Sequence, residues 1–383
     1  MDDQASSRDR AVPATLDLTA GADPAGGAAP THVEALTRAV YAAPDDDDTR
    51  QVLGDALAER GDARGEFIVL QMARAGGRAD RRSERRENAL LRANLKAWLG
   101  PLARVVKTAS AVFERGFLAE CVTEVHGVAA AETEFHHPEW ATVRKITFEA
   151  AALVTPAMRA LEDVNGLTEE ALKRLAASGH PRLRSLAMGI LVGPRGFDTA
   201  VEAGAPRGAF KALAECKSLP ALERLDLGIG VREYSSAAGY RDRTVADLDW
   251  VFAAPWGAQI RALVVSADAT SLDGWARAFV QRRQLERLEV RYRLRQIVFE
   301  RQADGAIMSI RPRSRGDGAE AAPAYVTSCI EHIFLALSAD VPVRGVRVEL
   351  GPDRSLTPGD AARLRAAASP LRGVDIEWPP VSG

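Results

Sequence analysis

Residues 222–227 read Leu222-Glu223-Arg224-Leu225-Asp226-Leu227, an apolar-x-x-apolar-x-apolar sextet. In an extended chain the apolar pair at i and i+2 shares one face, and the residues beside it point the other way. The sextet returns as Val143-Ile146-Phe148, Leu183-Leu186-Met188, Ile260-Leu263-Val265, Leu285-Leu288-Val290, Val343-Val346-Val348 and Leu371-Val374-Ile376. The first four repeat at roughly 39 residues and later ones at roughly 25 to 30, within or somewhat above the range of strand-plus-helix repeats.

The stretches between the sextets include LTEEALKRLAAS, GAFKALAECKSL, SLDGWARAFVQR and TPGDAARLRAAAS, which carry apolar residues at helical spacing, several behind a Thr or Ser N-cap. Strands joined through helices imply parallel pairing, right-handed crossovers and helices on one face. The expected architecture over residues 104–383 is therefore an α/β solenoid with a curved parallel sheet. The interval from Leu285 to Val343 is about twice the shorter repeat, and residues 293–318 within it hold two β-rich runs around Asp304-Gly305, a hairpin signal. A β-hairpin near 291–315, projecting from the sheet or extending it, is expected there, followed by a mobile GDGAEAAP loop.

Upstream the pattern changes. Residues 1–30 are rich in Ala, Gly, Pro, Asp and Ser without periodicity and read as a flexible leader. Residues 31–103 read as a small all-helical domain. Thr31 and Glu34 form a capping-box signature, Asp45 to Asp48 place negative charge at a second helix start, and EFIVLQMARA opens a third amphipathic stretch.

Within this region, Ala39-Val40-Tyr41-Ala42-Ala43-Pro44-Asp45-Asp46-Asp47 and Gly54 to Ile68, above all the ERGD-x-RGEFI portion, resemble the bacterial repeat-companion domain. Trp98-Leu99-Gly100-Pro101-Leu102 and Phe113-Glu114-Arg115-Gly116-Phe117-Leu118 resemble the segments that follow it. Ala56 stands where that family carries tryptophan. The resemblance covers roughly residues 35–118. It implies a helical module ahead of a leucine-rich-repeat-like array and supplies no catalytic residues.

Composition narrows the function classes. A net charge of −2 gives no general attraction to nucleic acid or anionic membrane. Cys121, Cys216 and Cys329 are scattered without a CxxC pair, and read as buried thiols of a reducing, cytoplasmic compartment. The start lacks the pattern of a secretory signal, and no apolar run reaches the roughly 20 residues of a membrane span. Asp45 to Asp48 is no calcium loop, because Arg50 and Ala56 stand where Gly and Glu are required. His136, His137 and Glu139 lack further ligands at zinc spacing and read as a polar turn before Trp140. Gly193-Pro194-Arg195-Gly196 is no phosphate loop but a turn between repeats. No cofactor and no catalytic residue is expected.

Two arginine clusters remain. Arg74, Arg78, Arg81, Arg82, Arg85, Arg86 and Arg92 stud one helical region, where Asp80 and Glu84 can meet them at i,i+4 spacing. Arg291, Arg293, Arg295, Arg301, Arg311, Arg313 and Arg315 lie on or beside the hairpin. Arg291, Arg293 and Arg295 alternate, so on one strand they would share a face, with Tyr292 beside them. That face suits carboxylates and phosphates, while charge on a strand edge also blocks pairing with other chains. On the open face of the repeats the register places Lys145, Thr147, Ser185, Arg224, Asp226, Glu289 and Arg347. The sequence thus points to a non-catalytic protein-protein interaction scaffold whose partner carries an acidic surface. Nucleic-acid binding through the arginines, or an enzyme with a site at the domain junction, are the rival readings.

Overall fold

Thr31 accepts the Glu34 amide while the Glu34 carboxylate receives the Thr31 amide, and this reciprocal cap starts α1 (His32–Ala42). Asp46 caps α2 (Asp47–Glu59), Asp62 caps α3 (Ala63–Ala75) and Asp80 caps α4 (Arg81–Leu99). The aspartate run is a helix start, as its position against the helix dipole requires. The structure, a computed structural model, describes residues 31–189, 201–202, 205–206, 208–227, 249–266, 272–292, 295–312, 323–350 and 354–382. The leader, the Gly193 to Gly196 turn, Arg293, Arg313, Arg315 and all but the last residue of the GDGAEAAP loop lie outside the described residues.

The chain enters the sheet through a hairpin, β1 (Val112–Glu114) and β2 (Phe117–Thr123), closed by Arg115 and Gly116 with φ of 50° and 87°. Positive φ at both positions is what a two-residue turn needs to match strand twist. A Cβ on Gly116 would lie 2.1 Å from Ile68 Cγ1, so the close approach of α3 demands glycine. Phe117 drops into a small separate core with Val40, Leu53, Leu57 and Ile68. The guanidinium groups of Arg50 and Arg64 stand 4.9 and 4.7 Å from its ring, and Tyr41 meets its edge. The helical region is thereby locked onto the first long strand.

Beyond it follow α5 (Val128–Glu134), β3 (Lys145–Phe148), β4 (Asp163–Leu167), α6 (Glu169–Ser178), β5 (Ser185–Met188), a short pair β6 (Val201–Glu202) and β7 (Ala205–Pro206), α7 (Gly208–Glu215) and β8 (Arg224–Asp226). The remainder is α8 (Asp249–Ala253), β9 (Ala262–Ser266), α9 (Leu272–Gln281), β10 (Arg287–Tyr292), β11 (Arg295–Gln302), β12 (Gly305–Pro312), α10 (Pro323–Ala336), β13 (Gly345–Val348), α11 (Pro358–Ala368) and β14 (Asp375–Glu377). Apart from β6 and β7, the strands form one open twelve-stranded sheet in chain order.

The expectation of a parallel sheet needs correction, because the sheet is mixed. Pairing is parallel from β2 through β10, antiparallel across β10, β11 and β12, and parallel again to β14. The expected hairpin around Asp304-Gly305 is β11 and β12, built into the sheet as internal strands. Two added antiparallel strands restore the original direction, so β13 resumes the parallel run.

One apolar row crosses eleven strands: Cys121, Ile146, Val164, Leu186, Leu225, Leu263, Leu288, Phe299, Met308, Val346 and Ile376 stand opposite one another in succession. The first ten are buried, in one cluster with Leu172, Leu175, Leu213, Phe279, Ile330 and Leu364 from the helices. Two strands depart from the sextet reading. β4 escapes it because Gly166, φ +82°, fills the third apolar position, where a Cβ would sit 2.1 Å from the Phe148 oxygen. In β14 Ile376, not Val374, faces Val346, a shift of two residues.

All three cysteines are buried, and burial pushes the Cys121 thiol up to about 12, away from reactive thiolate. No helix among the described residues is long and apolar enough to cross a membrane. Leu225 and Leu263, fully packed in the apolar row, should each cost about 2–5 kcal/mol on replacement by alanine. Arg224→Ala, one residue away on the partly exposed face, should change stability by about 0.5 kcal/mol or less in denaturant unfolding. Equal sensitivity of Arg224 and Leu225 would refute this register.

Candidate binding surface

Side chains between the core positions point to the face opposite the helices, and register decides which of them meet. Ser185, Arg224, Ala262 and Arg287 form one row, and Asp226, Val264, Glu289, Val298, Ser309, Arg347 and Glu377 form the next. Because neighbouring strands lie roughly 4.8 Å apart, charges in these rows reach one another across one or two strands.

They form a continuous network. Arg291 donates to Asp226 at 2.8 Å and to Glu289 at 3.1 Å, spanning β9 to do so. Arg224 stands 3.9 Å from Asp226, and Arg287 lies 3.6 Å from Glu289 and pairs with Glu300 as well. Arg311 continues the chain to Glu300 at 3.6 Å and Glu349 at 3.2 Å. Eight side chains alternate in sign from β8 to the end of β13. Asp226 and Glu289 are 7% and 5% exposed, so both carboxylates require their arginines.

The sequence-derived residues separate into distinct groups. Arg224, Arg291, Asp226 and Glu289 belong to this network, but the two acids are buried within it rather than offered to solvent. Arg347 is exposed on the same face and pairs with Glu377 at 2.6 Å; Lys145, at the far end, pairs with Glu120 at 3.6 Å. Thr147 and Ser185 are half-buried on this face. Arg293 lies outside the described residues.

The expected common face of Arg291 and Arg295 is not formed. The chain reverses between them, Tyr292 faces Arg295 across the hairpin, and Arg291 faces Gln296. Paired residues share a face, so Arg295 and Tyr292 go to the helix side and Arg291 to the other. Tyr292 is part of the core, not an exposed contact. Arg295 is 1% exposed; one nitrogen donates to the Glu349 carbonyl at 3.2 Å, while Nε and Nη2 have no hydrogen-bond partner among the described residues. Burial pulls its guanidinium down to about 10, still charged at neutral pH.

Arg287, Glu300 and Glu349 are members that the motif reading left out, and Arg311 was named only as one of the hairpin arginines, without its carboxylates. Arg287 was within its reach, as the residue before Leu288 in the sextet. Glu300 and Arg311 needed the hairpin register, in which Gln302 opposes Gly305 and Glu300 therefore opposes Ile307.

The helical arginine cluster from Arg74 to Arg92 behaves differently from its i,i+4 reading. Its acids act across helices, Glu66 with Arg86 at 2.6 Å and Glu87 with Arg74 at 3.2 Å, while Asp80 caps α4. At the C-terminal end of the open face, the missing side chain of Gly345 leaves a hollow of about 260 Å3 bordered by Ile307, Arg344, Arg347, Asp375 and Glu377. Among the described residues no group of three His, Cys, Asp or Glu side chains could hold a metal ion.

No protein-family model, no curated protein and no solved structure matches this chain.

The two buried arginine environments predict opposite mutational outcomes. Asp226→Ala takes from Arg291 one of its two carboxylates, leaving Glu289, and should cost about 1–3 kcal/mol, as loss of a buried hydrogen-bonded charge does. Arg295→Met removes a buried charge that meets no carboxylate among the described residues and should be neutral or stabilising, by up to about 4 kcal/mol. Urea unfolding of both variants checks this, and a heavy loss in Arg295→Met would show that its charge is compensated after all.

Proposed function

We propose that this chain is a non-catalytic protein-protein interaction scaffold, a leucine-rich-repeat-like solenoid preceded by a repeat-companion module that covers its first strands. The observation that carries the reading is the division of one long open sheet into a helix-packed apolar face and an opposite face of pre-assembled charges. Extended repeat arrays present such faces to macromolecules. A cytoplasmic site of action fits the three unpaired, buried thiols.

Charge complementarity refines the expected partner. Arg224, Arg287, Arg291 and Arg311 each stand opposite a carboxylate, so the central face is a mixed, self-neutralised plate rather than a basic patch. A partner with interspersed charges fits this plate better than a uniformly acidic one, and better than a nucleic-acid backbone, which needs a basic track. Lys145 and Arg347 lie near the two ends, more exposed, and are the cations best able to exchange their carboxylates for a partner's.

The test is a double charge reversal, Lys145→Glu with Arg347→Glu, assayed on the partner recovered from the native organism. Affinity should fall roughly tenfold or more through lost charge complementarity while helical content stays unchanged. Equal affinity of wild type and variant for that partner would overturn the open-face reading. Charge reversal at Arg295 cannot serve, because a buried carboxylate there would disturb folding itself.

A further inference from the structure

We propose that the hollow between α1 and the 3-10 turn Pro138–Thr142 is a binding site for a small anion carrying a phosphate or carboxylate group. The hollow has a volume of about 280 Å3, near the lower end of ligand pockets, and is bordered by Arg38, Tyr41, His136, Pro138, Ala157 and Arg159. It lies where the helical region meets the sheet, with one arginine contributed from each side. No acidic residue lines it.

The ion pairing around it is uneven. On the same junction Asp45 holds both Arg144, at 2.7 Å, and Arg182. Arg38 and Arg159 have no such partner: Arg38 Nε donates to the Glu34 carbonyl at 3.4 Å, and Arg159 Nη1 donates to the Ala42 carbonyl at 3.2 Å. Neither meets a carboxylate among the described residues. Of the nearby acids, Glu132 pairs with Arg174 and lies 3.8 Å from His136, while Glu139, whose charge acts on Tyr41 and Arg64, does not line the hollow.

Two guanidinium groups and an imidazole facing one hollow suit an anion with several acceptor oxygens. Tyr41 adds a rigid wall. Its phenol is hydrogen-bonded to Arg64 and burial raises its pKa, so it stays protonated and adds no competing charge. Alanine and proline side chains complete the lining, room for an anionic head on a small apolar body. An anion bridging Arg38 and Arg159 would tie α1 to the segment between β3 and β4, so occupancy should stabilise the junction.

The full chain is titrated with inorganic phosphate, and separately with succinate, against sodium chloride at equal ionic strength. Melting temperature and calorimetric binding are the readouts. The wild type should show a saturable rise in melting temperature with at least one of the two anions, and which one responds identifies the head group. Arg38→Ala with His136→Ala removes no hydrogen bond or ion pair between the helical region and the sheet among the described residues, so its melting temperature in chloride should stay close to wild type while anion affinity drops roughly tenfold or more. Arg159→Lys keeps the charge and loses the fork, and should weaken binding less. The proposal is overturned if neither anion acts beyond matched chloride, or if wild type and the double variant respond alike. Either result leaves the scaffold reading intact, since that rests on the opposite face of the sheet's strands.

Discussion

At the starts of β4, β5, β8, β9 and β10 in the parallel run, one carbonyl oxygen of the preceding segment accepts two amides of the next. The Arg144 oxygen receives Glu162 and Asp163, that of Glu162 receives Arg184 and Ser185, and that of Arg184 receives Glu223 and Arg224. Glu223 and Arg261 continue the series to Arg261 and Ala262, then Glu286 and Arg287. A carbonyl oxygen that accepts two amides, one on each lone pair, satisfies the backbone where a turn becomes a strand. These bonds also fix register, because a slip by one residue would break both bonds and exchange core for charge on every strand. The residues making the bond alternate in sign, Arg144, Glu162, Arg184, Glu223, Arg261, Glu286. Neighbours across the strand starts therefore attract one another, at 3.0 Å between Arg144 and Glu162 and 3.7 Å between Arg184 and Glu223.

With register fixed, the two faces follow. Leucine, isoleucine and valine of the middle positions line up beneath the helices, and the charged residues beside them line up on the other side. Burying Asp226 and Glu289 there is tolerable because Arg291 meets Glu289 on its own strand and spans β9 to reach Asp226, with Arg287 and Arg224 beside them. Removing charges from water is costly, and geometry of hydrogen-bond quality is what offsets it. Arg295 shows the opposite case, a guanidinium carried to the helix side by its pairing with Tyr292 and held, among the described residues, by the Glu349 carbonyl.

The helical region joins this sheet through two arginine devices of different character. Arg50 and Arg64 stack against Phe117 at its centre, where desolvation pulls both guanidinium groups down, that of Arg50 to about 10. Asp45 grips Arg144 and Arg182 at the periphery. Since Arg144 also supplies the first two-amide carbonyl, the docking of the helices and the register of the first strands share a residue. The first strands are thus held from the helical side as well as by their neighbours in the sheet.

Much of the fold was legible in the residues themselves. The sextets mark seven strands because i and i+2 alternation is a property of extended backbone, and Asp304-Gly305 marks a reversal because of its local turn chemistry. The cap at Thr31 and the helix start at Asp45 to Asp48 are local too, whereas Asp80, read as an i,i+4 partner, proved to be the cap of α4. β4 stayed hidden behind Gly166, whose role is a close approach to Phe148 that only the folded sheet creates. What the sequence could not decide is which faces Arg291 and Arg295 take. Their alternating numbers imply a common face only if no turn falls between them, and the pairing of Tyr292 with Arg295 places one there. Nor could it tell that Asp226, 65 positions before Arg291, is the carboxylate that arginine meets. Local propensity acts over a few residues and is written in the chain, whereas the partner of a charge is set by strand register across the sheet, which exists only after folding.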